Sequence, residues 1–195
     1  DSEGSGRIEN SAVETATGSL GGPSVGDEGY FGLAATTYST KYGVPGHEHA
    51  HEEPETVEDE GVQIDLDQLR FDLEGAWSFG GSVIRRAKLR AGYSDYEHKE
   101  LEGSEVGTRF DRDTWEGRLE AVHGDVLGAH GVFGLQWRAD EFSAQCEEAY
   151  IPETDSTEWG LFLIEDFHHG DWTYELGLRG DYVDRDPDAE TTGSE

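Results

Sequence analysis

Apolar and polar side chains alternate with a period of two along most of this chain. In Trp172, Tyr174, Leu176, Leu178 and Tyr182 the apolar residues fall at even positions, with Glu175, Arg179 and Asp181 between them. Leu69, Phe71, Leu73 and Trp77 share one parity, while Arg70, Asp72 and Glu74 share the other. Successive side chains of a strand point to opposite faces, so these segments predict strands with one apolar and one charged face. The pattern predicts about eight strands, near residues 8–19, 28–41, 61–79, 82–96, 107–123, 130–145, 158–168 and 171–185, and no helix.

The connections add a second regularity. Phe79-Gly80-Gly81-Ser82 and His168-His169-Gly170-Asp171 read as tight turns, and 20–27 and 124–129 as short links containing glycine. Between them, 42–60, 97–106 and 146–157 read as long acidic loops, with the chain end from about 186 as a fourth. In an up-and-down sheet every second connection lies on the same edge, which puts short turns on one rim and long loops on the other. Dyad alternation, one-sided loop lengths and aromatics near the ends of the apolar band are the signature of a transmembrane β-barrel. Trp77, Phe79, Trp172 and Tyr174 are placed for one aromatic girdle; Tyr93, Tyr96 and Tyr182 lie towards the other rim.

The expected fold is therefore all-β, an antiparallel up-and-down meander. Leu69, Phe71, Leu73, Trp77, Leu89, Trp115, Leu119, Leu135, Trp137, Leu176 and Leu178 are expected on its convex, lipid-facing side. The interspersed charges, Arg70, Arg86, Arg90, Arg118 and Arg179 against Asp72, Asp95, Glu116, Glu120 and Asp181, are expected as cross-strand ladders lining a wet lumen. A soluble sandwich or lipocalin-like barrel would bury the apolar face instead. Two departures need a reason. The apolar phase slips between Ile64/Leu66 and Leu69, which predicts a β-bulge near Gln68 or the point where the strand leaves the membrane. Trp159 to Ile164 is apolar on both parities, so it is expected to pack on its inward face as well.

Composition narrows the partners. With 44 Asp+Glu against 14 Lys+Arg the net charge is -30, which excludes a phosphate-binding basic stripe and hence nucleic acid. Cations are the natural partners. No run approaches the ~18 apolar residues of a spanning helix, and the opening DSEGSGRIEN lacks the charged and apolar regions of a secretory signal, as in a mature or internal segment. A single cysteine, Cys146, leaves no disulfide within the chain. Motifs for an enzyme are missing too: there is no G-x-S-x-G elbow, no H-E-x-x-H helix and no phosphate-cradling glycine loop.

The candidate chemistry sits in YGVPGHEHAHEE, residues 42–53. His47, His49 and His51 alternate with Glu48 and Ala50, so an extended backbone projects three imidazoles to one side, about 7 Å apart. Neutral imidazole suits zinc, copper or nickel, and Glu48, Glu52 and Glu53 are placed to complete or support such a site. The competing reading is a solvated polar loop. Among the other histidines, His98 lies near Glu97, Glu100 and Glu102 as a secondary contact; His168 and His169 read as turn residues, and His123 and His130 as structural.

The runs RIENSAVETATGSLGG, GYFGLAATTYSTKYGVPG with HEHAHEE, and IDLDQLRFDLEG resemble the barrel of TonB-dependent outer-membrane receptors, in particular the zinc-uptake branch. The likeness runs from about residue 7 to 185. It implies a Gram-negative outer-membrane barrel of about 22 strands with an internal plug, importing a metal ion, zinc foremost, with energy from the TonB complex. No plug or TonB box is present here, so residues 1–185 are expected to be an internal segment of the barrel and 186–195 an acidic loop or chain end. The implied metal-capturing residues are those of the loop: His47, His49 and His51, with Glu48, Glu52 and Glu53. No tightly bound cofactor is expected; Zn²⁺ enters as cargo, and lipid is the surrounding partner. The alternatives are a complete eight-stranded outer-membrane barrel with a structural or adhesion role, and a soluble acidic metal-binding β-protein.

Overall fold

The computed structural model describes residues 10–45, 61–81, 83–103, 105–146 and 151–187, and among them every regular element is a strand. Strands β1 (Val13–Gly26), β2 (Gly29–Gly43), β3 (Val62–Ser78), β4 (Ile84–Glu102), β5 (Glu105–Val126), β6 (Ala129–Cys146), β7 (Ile151–His169) and β8 (Trp172–Pro187) form one antiparallel sheet in chain order. Among the described residues β1 and β8 do not pair with each other, so the meander is open. A closed eight-stranded barrel would join these two edges; an open sheet is what a segment of a larger barrel presents.

Several strand limits depart from the sequence expectation. Residues 20–26 belong to β1, and the turn is only Asp27-Glu28, closed by Gly26 opposite Gly29. Gly21-Gly22-Pro23 reads as a breaker, yet Pro23 continues β1 opposite Gly32, on the outermost strand of the described sheet, a position where proline is tolerated. The segment 97–106 is no long loop: β4 and β5 continue to a tight hairpin in which Glu102 faces Glu105. Its lack of apolar residues suggested a loop, but ion pairs among Glu97, Lys99, Arg109 and Asp111 knit the two strands there. Likewise β7 begins at Ile151, within the segment read as a loop at 146–157. The turns at 27–28, 79–83, 127–128 and 170–171 do share one rim, and the longest connection, between Gly43 and Val62, lies on the other.

The register sorts the side chains onto two faces. Directly paired rows such as Phe31–Gly75–Leu89–Leu119–Leu135–Leu161 carry the apolar set on one side. All eleven residues expected to face lipid have this parity, and none of them is buried: Phe71 is 47% exposed, Leu119 49% and Leu178 60%. Buried apolar residues among those described are only Ile64, Ala76, Ala129 and Ala144. That is far too little for a soluble sheet of this size, because each large side chain left in water forgoes about 1.5–3 kcal/mol. The stretch Trp172–Tyr182, at about 3.3 Å per residue and a tilt of about 40°, spans about 25 Å, the height of an outer-membrane apolar band.

The phase slip in β3 has a physical cause, and it is not a bulge. The β3 register runs unbroken through Gln68 and Leu69 on both sides. What changes is the polarity of both faces at once. Beyond Leu69, Tyr93 and Trp115 the outward face carries Asp67, Asp95, Glu97, Asp111 and Asp113, around a hollow of about 820 Å³. In the same rows the inward face turns apolar, through Ile64, Leu66, Phe110, Phe142 and Ala144. Strands emerging from lipid into water would invert in this way. Asp95, expected in the lumen, accordingly lies outside, and Tyr96 faces the interior and not the girdle.

Candidate functional site

Charged residues of the inner wall pair mainly along strands, not across them. Each Arg-x-Asp/Glu step puts both groups on one face two residues apart: Arg70–Asp72 at 2.8 Å, Arg118–Glu120 at 2.7 Å, Arg138–Asp140 at 2.7 Å and Arg179–Asp181 at 2.5 Å. The expected cross-strand ladder is present in part: Arg90 Nε meets the directly facing Glu74 Oε2 at 3.2 Å, Arg112 meets Asp140 on the next strand, and Arg70 Nη2 reaches Glu116 Oε1 at 2.6 Å two strands away. Arg86 takes no part in any described ion pair. The repeated Arg-x-acid spacing was readable in the sequence; its meaning depends on knowing that i and i+2 share a face. On β7, Phe162 points inward as the double-parity run predicted, beneath the Arg118 guanidinium at 4.2 Å, in the space left open by Gly134.

Towards the loop rim the inner wall becomes a vestibule of about 580 Å³ lined by Tyr96, His98, Phe110, Arg112, Phe142 and Arg138, among others. Tyr96 Oη and His98 Nδ1 are 3.2 Å apart, and the imidazole packs on Phe110 at 5.2 Å between ring centres. His98 Nε2 is buried without a hydrogen-bond partner. Below it, Asp140, 6% exposed, accepts from Arg138 Nε at 2.7 Å, Thr114 Oγ1 at 2.7 Å and Arg112 Nε at 3.0 Å. These three donors satisfy a carboxylate that burial would otherwise leave without solvation. One carboxylate thus serves two guanidiniums, while Arg70, paired with Glu116, and Glu100 line the same space, so its charges are mixed. Aromatic rings and guanidiniums on one wall suit planar groups with anionic edges.

The metal-capture residues expected from the sequence, His47, Glu48, His49, His51, Glu52 and Glu53, lie outside the described residues. The described chain shows how their loop is rooted. Val44 N donates to Val62 O at 2.9 Å and Gly43 N to Ala12 O at 3.1 Å. Asn10 Nδ2 donates to both Val44 O and Val62 O, at 3.2 and 2.8 Å, joining the two roots through one carboxamide. Asn10 takes a left-handed φ of 51°, which asparagine tolerates better than most side chains, and this role had no signal beyond residue type.

The remaining histidines fall into separate places. His98 joins the aromatic vestibule and not a carboxylate cluster, although Glu100 lines the same space. On the outward face His123 Nε2 lies 2.9 Å from Glu165 Oε1, past Gly131, and its Nδ1–H donates to Gly124 O at 2.8 Å. His130 and His168, read separately as structural and turn residues, stack face to face at 5.3 Å. Among the described residues no three His, Cys, Asp or Glu side chains stand ready to hold a metal ion.

Compared with known families, the chain matches the family described as TonB dependent receptor-like, beta-barrel, over residues 5–194.

Proposed function

Since this chain belongs to the TonB-dependent receptor β-barrel family, one of outer-membrane transport barrels of Gram-negative bacteria, we propose that its cargo is a metal ion, zinc before other divalent cations. In this reading the His-rich loop captures the ion outside the membrane, the vestibule receives it, and the TonB complex supplies energy through a plug. The observation that supports it is the alternation of His47, His49 and His51 within a loop whose two roots are tied together by Asn10. Rooting a loop restricts where its ligands sit and so lowers the ordering entropy lost on binding. Titration calorimetry of the intact protein in detergent tests the capture step. Replacing His47, His49 and His51 together by alanine should weaken Zn²⁺ binding at least tenfold and leave Ca²⁺ binding to carboxylates unchanged. Equal zinc affinity in both proteins would reduce the loop to a solvated acidic excursion.

A second reading has its own support. The vestibule floor carries Arg112 and Arg138 over a shared Asp140, flanked by Phe110 and Phe142, a set of planar cations and rings that suits a metal held in an anionic, planar chelate. A zinc chelate competing for binding better than free Zn²⁺, and losing affinity in Arg112→Gln, would favour it.

A further inference from the structure

On the inner wall at the short-turn rim, β6 and β7 bring together two imidazoles and a carboxylate that no step of the proposed transport uses. His130 pairs directly with Asp166 across the two strands, and His168 follows Asp166 by two residues on the same face. Sheet geometry places such a triad within mutual reach, because facing residues have Cβ atoms about 5 Å apart and i, i+2 neighbours about 7 Å. His130 Nε2 lies 3.9 Å from Asp166 Oδ2, and the His130 and His168 rings stack at 5.3 Å with 16° between their planes. Glu175 on β8 faces Asp166 from the other side in the same row.

We propose that His130, Asp166 and His168 bind a borderline divalent cation, with zinc as the type ion, at the short-turn end of the inner wall. As they stand the three side chains do not converge on a point. Ligand atoms at about 2.0–2.2 Å from zinc lie about 3.3 Å from one another, so the Nε2 to Oδ2 separation closes by well under 1 Å, and rotation of the exposed His168 ring supplies the third donor. Two nitrogens and one oxygen favour zinc, copper or nickel over calcium and magnesium. Glu175 or water completes the shell. His130 is 48% exposed and Asp166 37%, so an ion reaches them from the lumen without unfolding the sheet. The site is independent of the His-rich loop and stands or falls separately from it.

The test uses the intact protein in detergent with His47, His49 and His51 replaced by alanine, so that loop imidazoles do not contribute. Zn²⁺ calorimetry should still find one site. Its Kd should rise at least tenfold in H130N and in H168N, and stay unchanged in H169N, whose ring lies on the opposite face. Cu²⁺ bound in the same background should give an electron paramagnetic resonance spectrum split by two nitrogens. No zinc site in this background, a site indifferent to H130N and H168N, or a copper spectrum without nitrogen coupling overturns the proposal. Should H130N fail to fold, H168N at the exposed end of β7 and the copper spectrum of the unaltered rim decide the matter. The loop reading fails on a different result, an alanine background that binds as much zinc as the parent.

Discussion

Arg70 Nη2 reaches Glu116 Oε1 at 2.6 Å by passing over Gly92, so that β3 and β5 are bonded across the strand between them. A Cβ at Gly92 would lie 3.0 Å from the Arg70 nitrogen and 3.1 Å from the Glu116 oxygen. Gly92→Val therefore has to displace the link. The expected loss is about 1–2 kcal/mol of folding free energy, against about 0.5 kcal/mol for Glu116→Gln, since Arg70 keeps Asp72 and both groups are partly solvated. Urea unfolding in lipid vesicles, with the Gly92→Val/Glu116→Gln double variant, checks whether the two losses overlap.

Asp140 is the shared acceptor of Arg112, Arg138 and Thr114. Asp140→Asn should therefore destabilise the protein at neutral pH by about 1–3 kcal/mol, leaving two guanidiniums without their carboxylate in a buried place. Denaturant midpoints of parent and variant measure it.

The lipid-facing parity predicts an asymmetric response to charge. Leu119→Arg or Leu176→Arg should cost about 2–4 kcal/mol on folding into bilayers, whereas Gln136→Glu on the inner wall, beside Arg118 and Arg179, should change stability by under about 0.5 kcal/mol. Fluorophores on cysteines placed at Phe71 and Leu176, with Cys146 replaced, should be quenched by brominated acyl chains. Labels at Asp67 and Asp111 should not, if the change in polarity beyond Leu69 marks the membrane boundary.

The sequence carried the strands because alternation is local: every strand, and the parity of all eleven lipid-facing residues, followed from period two. Limits were lost where a local signal was overruled by position. Pro23 and its glycines mimic a turn but sit on an edge, and residues 97–102 look like a loop but pair through charges above the membrane. The slip at Leu69 was visible, though only the two faces seen together distinguish a boundary from a bulge. Tyr96, His98, Phe110 and Phe142 come from three strands, and Asn10 reaches a loop root through Val62, fifty-two positions on; no one-dimensional pattern records such meetings. The stacking of His130 and His168 is of the same kind.

Zinc capture by imidazole has its own pH signature. Binding to the loop requires the neutral ring, so Zn²⁺ affinity of the parent should fall as pH drops through about 6.5, while Ca²⁺ binding to carboxylates should change little over the same range. Calorimetry with each ion at pH 7.5 and 5.5 measures the difference.

The most direct measurement is zinc-65 accumulation by energised cells whose zinc entry depends on this receptor. Metal import through the His-rich loop predicts uptake that stops when the proton gradient or the TonB complex is removed and that falls at least tenfold when His47, His49 and His51 are replaced by alanine, with the protein still present in the outer membrane. Accumulation that persists without TonB, or that the triple replacement leaves unchanged, would contradict it.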